Sequence, residues 1–244
     1  MFKVILVLLI FLGLPNFSRA KSHLEKDSFQ TTEGDLGITF IGHGTLMFSF
    51  QGQVIYVDPY TEIADFSKLP TADIILLTHE HADHLDIEAI DLIKKEKTLI
   101  IQTEECLEKT GMGMVMKNGD KENLEDITIE AVPAYNIEHK RENGQPFHPK
   151  GAGNGYILTF AGLRVYVAGD TEDIPEMADI KDIDIAFLPM NLPFTMTPEM
   201  VAEAAKMIKP KILYPYHFGD SDTSQITELL KDQKDIEVRI RKMS

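Results

Sequence analysis

Short apolar runs follow one another from residue 38 onward. The first three, at 38–41, 45–50 and 54–57, are rich in β-branched and aromatic residues, and a polar turn at 51–53 separates the last two. Runs of this kind joined by short polar turns are typical of strands in hairpins. The pattern therefore predicts that the folded part of the chain opens with a β-meander.

A continuous apolar run at 72–78 comes next, and a helical pattern covers 87–95. The first is typical of a strand buried on both faces, and the second has the spacing of an amphipathic helix. The histidine-rich segment between them is therefore expected to be a strand-to-helix loop.

The remaining chain alternates between strand and helix patterns. Glu104 to Leu107 resembles the first turn of a helix after Thr103, so Cys106 is interpreted as a small buried residue. Sheets with helices on their outer faces are implied, which is an α/β fold. The further elements predicted are strands at 127–132, 155–160, 165–167, 183–188, 212–214 and 237–240, a helix from Pro198 after the cap Thr197, and a helix near 226–230.

A weak internal repeat indicates two related halves. Residues 50–57 match residues 160–167 in a Phe-x-Gly-x-x-x-Tyr-Val pattern at an offset of 110, and Asp58 and Asp170 follow the two copies. The acids are two positions out of register, and a shift of two residues keeps the same face of an extended strand. Both acids are thus expected to point towards one cleft between the sheets.

Length and charge restrict the possible functions. The 244 residues suit one domain, predicted at 35–244, and the formal charge of −15 leaves no basic surface for nucleic acid. A small-molecule substrate is expected instead. With a single cysteine, Cys106, the chain has no internal disulfide.

The N-terminus has the three-part layout of a secretory signal peptide. Lys3 precedes an apolar stretch at 4–14, and the polar segment after it ends in Ser18-Arg19-Ala20. The apolar stretch is too short to span a bilayer, which takes about 20 residues. We therefore expect a signal peptide at 1–20, a flexible leader at 21–34, no stable membrane anchor, and a periplasmic or secreted location.

The run His79-Glu80-His81-Ala82-Asp83-His84 carries the strongest chemical signal. It places three imidazoles and a carboxylate within six residues, on a loop that leaves a buried strand. Zinc takes this mixture of nitrogen and oxygen donors. The spacing therefore predicts a metal site.

The run from Thr78 to Leu85 resembles the signature of the metallo-β-lactamase superfamily. Within it, the chain is similar to the small metal-dependent hydrolases related to ascorbate-phosphate lactonases and to the phospholipase D of acyl phosphatidylethanolamines. The resemblance implies a four-layer αβ/βα sandwich with two metals at one edge. It implies that the first metal binds His79 and His81, and that the second binds Asp83, His84 and His217, with Asp170 bridging the two.

Two further residues match positions near the metals in this family. Asp58, in Val57-Asp-Pro59, resembles an early acid that orients the first ligands. His43, between two glycines, resembles a histidine typical of the lactonase-like branch. The flanking glycines permit close approach of the backbone, so we expect His43 to support the metals or contact substrate rather than bind metal directly.

The third ligand of the first metal departs from the family pattern. Many relatives have a histidine where this chain has Asn136. His139 and His148 follow nearby as alternatives. His139 lies in a charged stretch, whereas His148 lies between an aromatic residue and a proline that would hold it rigidly. We favour His148 as the ligand, with Asn136 assisting through its side-chain carbonyl.

The resemblance implies hydrolysis of a phosphodiester, a lactone or another ester by a metal-bound hydroxide. Asp83 is the expected catalytic carboxylate, and the cofactors are expected to be two divalent ions, zinc or alternatively manganese. One rival is an iron oxidoreductase on the same fold, which would carry Glu in place of His81; another is a non-catalytic metal-binding or scaffold protein. Two segments, 140–150 and 189–197, are expected to overhang the metals.

Overall fold

The computed structural model describes residues 24–243, and the predicted signal peptide at 1–20 lies outside the described residues. These residues include four α-helices: α1 (Ile87–Ile93), α2 (Glu104–Thr110), α3 (Pro198–Ile208) and α4 (Ser224–Leu229). The strands are β1 (Glu25–Thr31), β2 (Gly34–Gly42), β3 (Thr45–Phe50), β4 (Gln53–Val57), β5 (Ile74–Leu76), β6 (Leu99–Gln102), β7 (Met114–Val115), β8 (Lys121–Leu124), β9 (Ile127–Ala134), β10 (Gly153–Phe160), β11 (Leu163–Val167), β12 (Ile185–Pro189), β13 (Ile212–Tyr216) and β14 (Glu237–Val238).

The strands form two sheets of seven with matching topology. One has the order β1-β2-β3-β4-β5-β6-β7 and the other β14-β13-β12-β11-β10-β9-β8. In each sheet the first four strands along the chain pair antiparallel, and the last four pair parallel. The helices come from the parallel halves, because parallel neighbours need crossover connections.

Three apolar layers hold the sheets and helices together. The central one lies between the sheets and includes Phe48, Phe160 and Phe187. One outer layer packs α1 and α2 against the first sheet, and the other packs α3 and α4 against the second. The predicted four-layer αβ/βα sandwich is therefore confirmed.

The internal repeat is a structural repeat. Its two copies form the β3–β4 and β10–β11 hairpins, and Phe50 and Phe160 meet in the central layer with ring centroids 5.4 Å apart. Tyr56 and Tyr166 face opposite outer layers. Equivalent positions in the two halves thus occupy equivalent places in the sandwich.

The expected flexible leader at 21–34 is wrong for residues 25–31, which form β1. This strand pairs with β2 along its whole length, from Glu25 opposite Phe40 to Thr31 opposite Gly34. Asp27 accepts two hydrogen bonds from Arg241 near the C-terminus, at 2.9 and 2.8 Å. The Asp27 side chain is thus paired by a residue more than 200 positions away, and no apolar pattern in the local sequence marks the strand.

Capping residues fix the helix starts as predicted. The Thr103 hydroxyl accepts a hydrogen bond from the Cys106 amide at 3.3 Å, and Thr197 accepts one from Met200 at 3.2 Å. Cys106 is fully buried, and burial raises the pKa of its thiol to about 11. A thiol held in that state is a poor nucleophile. Among residues 24–243, no helix combines the length and apolar character that crossing a membrane would need.

Candidate metal centre

All the predicted site residues except His139 gather at one edge of the sandwich, where strands end and loops begin. Asp58 directly follows β4, and His217 directly follows β13. The loop after β5 carries the histidine motif to the start of α1, where the Asp86 side chain accepts hydrogen bonds from the amides of Glu88 and Ala89. Parallel strands place such loops at the same edge of a sheet, which is where binding sites form in sheets of this type.

The backbone adopts an unusual conformation at three of these positions. His43, Asp58 and His217 have positive φ values of 51°, 45° and 44°. Residues with a side chain seldom occupy this left-handed region, and they cluster at functional sites where the surrounding structure holds them. The strained turns direct these side chains towards the centre.

One group of ligand atoms comes from His79, His81 and His148. His79 Nε2 lies 3.1 Å from His81 Nδ1, and His148 Nε2 lies 3.3 Å from Asp170 Oδ2. Two donors bound to one tetrahedral zinc at about 2.0–2.1 Å stand about 3.3 Å apart. These separations match the spacing of ligands around an ion.

A second group comes from His43, Asp83, His84 and His217. His84 Nε2 and His217 Nε2 are 3.1 Å apart, and Asp83 Oδ2 lies 3.7 Å from each of them. His43 Nε2 is 3.0 Å from the same carboxylate oxygen, and its ring contacts that of His217 with centroids 3.7 Å apart and a tilt of 44°. His43 thus contacts both Asp83 and His217 and helps to fix their positions.

Asp170 lies between the two groups. Its Oδ2 atom is 3.3 Å from His148 Nε2 and 3.5 Å from His217 Nε2, while its Oδ1 atom is 3.5 Å from His84 Nε2. His79 Nε2 also lies 4.0 Å from Oδ2. A single carboxylate therefore faces donors of both groups, as a bridging ligand would.

Hydrogen bonds to the outer ring nitrogens set the direction of three histidines. His84 Nδ1 lies 2.8 Å from Asp58 Oδ2, and His79 Nδ1 lies 2.9 Å from the Thr78 hydroxyl. His148 Nδ1 lies 2.6 Å from Asn136 Oδ1. A proton held on Nδ1 in this way leaves a lone pair on Nε2, which points to the centre.

Asp58 also fixes the loop that carries the motif. Its carboxylate accepts hydrogen bonds from the Thr78 amide at 2.8 Å and the Thr78 hydroxyl at 2.6 Å, besides contacting His84. The position agrees with the orienting role expected from the resemblance. Asp58 and Asp170 both contact His84, so the two acids that follow the repeat do point into one cleft.

The structure brings His148 to the centre and leaves His139 outside it. His139 Nδ1 lies 2.8 Å from Glu172 Oε1, on the far side of Asn136. The Asn136 side chain accepts a hydrogen bond from the His148 amide at 2.9 Å, in addition to its contact with the ring. Asn136 therefore stands behind His148.

Glu172 is a functional residue that the sequence did not reveal. Its carboxylate is buried and accepts hydrogen bonds from the amides of Ile137, Glu138 and His139, each at 2.7 Å. It also accepts one from Asn136 Nδ2 at 3.0 Å. Burial opposes ionisation, but these hydrogen bonds outweigh it and hold the pKa of Glu172 below its usual value. The glutamate thus fixes the loop that presents Asn136.

The pKa values of the ionisable side chains in the centre are strongly shifted from their usual values. Burial lowers the pKa of His217 to about 3 and that of His79 well below its usual range. Burial acts in the same direction on His84, but Asp170 and Asp58 outweigh it and raise the pKa of His84 to about 10. Burial raises the pKa of Asp170, yet His217 and His84 bring it well below the ordinary value.

Two buried polar atoms at the centre fit a metal ligand set. Asp170 Oδ1 and His148 Nε2 are buried and have no hydrogen-bond partner among the described residues. Buried polar atoms nearly always have a partner, so an orphaned pair at one place needs an explanation. A cation bound there would satisfy both atoms, and the imidazole and carboxylate donors suit a divalent transition metal.

A cavity of about 350 Å³ opens directly beside these side chains. Both segments expected to overhang the centre contribute to it: Arg141 and Phe147 come from one, Asn191 and Phe194 from the other. The rings of Phe147 and Phe194 meet edge to face at 5.1 Å. Arg141, Phe147, Asn191 and Phe194 were not singled out from the sequence, since no spacing pattern links them to the histidines.

Two sheets of matching topology with helices outside them, and a histidine-rich loop at one edge, define a metallo-β-lactamase-fold protein. The sequence profile of the β-lactamase superfamily domain matches residues 37–217, and the chain belongs to this family.

The curated relatives are metal-dependent hydrolases. A UPF0173 metal-dependent hydrolase from Natranaerobius thermophilus is 31% identical over 193 residues, covering 75% of this chain and 83% of the relative. The similarity extends over most of both proteins. The chain is therefore a metal-dependent hydrolase of the metallo-β-lactamase superfamily.

Solved structures agree. One from Parabacteroides distasonis, described as a candidate metal-dependent hydrolase, is 54% identical with a TM-score of 0.87, covering 91% of this chain and all of that one. A metallo hydrolase from Ignicoccus hospitalis, at 23% identity, has a TM-score of 0.70 and covers 85% of this chain and 95% of that one. The second shows the shared fold alone.

Proposed function

We propose that the chain hydrolyses a small ester or phosphodiester with two divalent ions of the zinc type. The observation that carries this proposal is the position of Asp170 between two sets of donors, each large enough for one ion. A bridging carboxylate is characteristic of paired ions that act on one substrate.

The donor directions support a ligand set for each ion. His79 Nε2, His81 Nδ1 and His148 Nε2 would hold the first ion. The second would bind Asp83, His84 and His217, and Asp170 would be shared. His43 and Asp58 act on these ligands through hydrogen bonds, and Asn136 acts on His148.

When bound, the ions supply an acidified water nucleophile and polarise the scissile group. The protein orients the reacting groups. Asp83 Oδ2 faces the cavity and is held by His43 Nε2 at 3.0 Å. Burial raises the pKa of Asp83, but the hydrogen bond from His43 and the nearby His84 bring it below the ordinary value. Asp83 therefore stays ionised at neutral pH and acts as an acceptor that orients a proton.

Export is part of the proposal. The layout of residues 1–20 supports cleavage of a signal peptide and a periplasmic or secreted enzyme. Expression of the full chain with fractionation of the cells, followed by N-terminal sequencing of the product, tests it. A product in the cytoplasm that retains Met1 would contradict it.

Metal analysis combined with a substrate panel tests the central proposal. We expect about two ions per chain after loading with zinc or manganese, and hydrolysis of at least one phosphodiester, lactone or carboxylic ester. Activity should disappear with a chelator and return with metal. A non-catalytic relative would bind metal and hydrolyse none of the panel, whereas a chain that binds no metal would contradict the metal centre itself.

A further inference from the structure

Arg141 lines the cavity beside the centre, and no other arginine or lysine of residues 24–243 does so. Its Nη2 atom donates to the Phe147 carbonyl at 3.3 Å and lies 3.4 Å from His81 Nε2. The guanidinium also lies over the Phe147 ring, 5.2 Å from its centroid. Within the described chain, no carboxylate comes within the 4.0 Å distance of an ion pair with this arginine.

Metal binding would remove one of these two polar partners. His81 directs Nδ1 to the centre, 3.1 Å from His79 Nε2, and turns Nε2 towards Arg141. A neutral imidazole that coordinates through Nδ1 carries its proton on Nε2. That nitrogen is then a donor, and a guanidinium has only donors. The Phe147 carbonyl would be the remaining acceptor for the five N–H groups of Arg141.

An apolar wall stands next to this cation. Phe147 and Phe194 form it, with ring centroids 5.1 Å apart and an interplanar angle of 78°. The Asn136 side chain donates to the Phe194 carbonyl at 2.9 Å, which ties the wall to the residue behind His148. The two rings present an apolar surface next to Arg141 in the cavity lining.

We propose, on the basis of the proposed function, that Arg141 binds an anionic group of the substrate that is separate from the scissile bond. The His81 ring lies between the guanidinium and the donors of the centre, so one charge cannot occupy both places. The apolar part of the substrate packs on Phe147 and Phe194. The substrate class is therefore a small ester or phosphoester that carries a second anion, a carboxylate or a phosphate, beyond an apolar spacer.

The charge of the whole chain opposes the approach of an anion, and Arg141 counteracts it locally. A formal charge of −15 repels anionic ligands at a distance. Arg141 together with bound divalent ions would reverse the sign of the charge inside the cavity, because two such ions would bring more charge than Asp83 and Asp170 neutralise. Selection of an anion thus depends on this one side chain and the ions.

Binding of two aromatic carboxylates tests the inference without relying on turnover. Terephthalate has two carboxylates across a benzene ring, and benzoate has one. Calorimetric titration of the zinc-loaded chain should show terephthalate binding about tenfold more tightly than benzoate, since a charge-assisted hydrogen bond contributes at this order. Arg141→Gln should abolish the difference. Arg141→Lys should retain part of it, and higher salt should reduce it.

Lys140→Gln is the matched control, because it removes one exposed positive charge from the adjacent position outside the cavity lining. It should keep the preference for terephthalate. Equal binding of both ligands by the wild type, no measurable binding, or an unchanged preference in Arg141→Gln would overturn the inference. A preference that depends on Arg141 in a chain that hydrolyses no ester would support the anion site and overturn the proposed function.

Discussion

Asp83 is the more exposed of two acids, Asp83 and Asp170, that contact histidines of the second group and line the cavity. Its Oδ2 atom meets His43, His84 and His217, and its side chain remains 39% exposed. Asp170, by contrast, is buried among ligands. Asp83 is therefore the carboxylate best placed to orient a reacting group.

We expect Asp83→Asn to lower kcat by about 10²-fold or more while shifting the thermal midpoint only slightly. The amide keeps the volume and one oxygen but loses the charge that orients a proton in the cavity. Steady-state kinetics of the metal-loaded variant and thermal unfolding provide the two measurements. Glu88→Gln removes an exposed charge from the first turn of α1, outside the group, and should change kcat little. A near wild-type rate for Asp83→Asn would show that another residue orients the proton.

His148→Ala should lose far more metal than His139→Ala. His148 Nε2 is buried beside Asp170, whereas His139 contacts Glu172 outside the centre. Removal of a coordinating side chain weakens binding by at least about tenfold, the effect known even for residues that only orient ligands. Titration against a chromogenic chelator measures the difference. Equal and small losses in both variants would move the ligand assignment to Asn136.

At the scale of elements, the loop after β9 depends on a carboxylate from the loop after β11. Glu172 binds three successive amides of residues 137–139 and the side chain of Asn136, which in turn holds His148. The two loops come from neighbouring regions of the second sheet. Their pairing places the third histidine of the first group.

Glu172→Gln should lower the free energy of unfolding at neutral pH by about 2–4 kcal/mol, because an amide group would face backbone donors that now bind a buried charge. Thermal or denaturant unfolding in the presence of a chelator isolates this effect from metal binding. Glu176→Gln, which alters a partly exposed acid paired with Lys150, is the control and should cost less.

The free energy of unfolding of the wild type and that of Glu172→Gln should depend differently on pH. The folded pKa of Glu172 is below its usual value, so its contribution is complete above the unfolded pKa of about 4.3 and is lost as pH falls through the folded value. The stability gap between wild type and Glu172→Gln should be constant from about pH 6 to 8 and shrink below about pH 4. A stability difference that widens in acid would contradict the stabilising role of the ionised Glu172 carboxylate.

Most elements follow from local patterns, and the exceptions are short or charged strands. The sequence predictions match the hairpins around 51–53 and 161–162, the strand β5, and the first residues of α1 and α3. The strands β1, β6, β7 and β8 were missed. β1 and β8 are rich in charged residues and stabilised by pairing with a neighbouring strand, so no apolar period marks them. β6 and β7 have only four and two residues, too few to establish a period.

At the scale of the whole molecule, the centre joins the two halves of the sandwich. His79, His81, Asp83 and His84 belong to the first sheet's half, whereas His148, Asp170 and His217 belong to the second. Both groups of donors include residues from each half. Metal bound there would cross-link the sheets through their loops.

Metal removal should therefore lower the thermal midpoint. A ligand that binds only the folded state stabilises it by about 2.7 kcal/mol at a free concentration 100 times Kd, which for a chain of this size corresponds to about 5–10 °C. Calorimetric scans with and without a chelator measure the shift, and re-addition of zinc should restore the midpoint. Identical midpoints in the two states would contradict a cross-link between the halves.

The sequence by itself determined the repeated hairpins, the buried strand before the motif, the helix starts and most donors of the centre. Local apolar period and residue chemistry carry that information. Only the tertiary structure decided that His148 rather than His139 reaches the centre, that Glu172 fixes their loop, and that Arg141 faces the cavity. These outcomes depend on side-chain direction and on contacts between loops far apart in the chain, for which no local pattern is required.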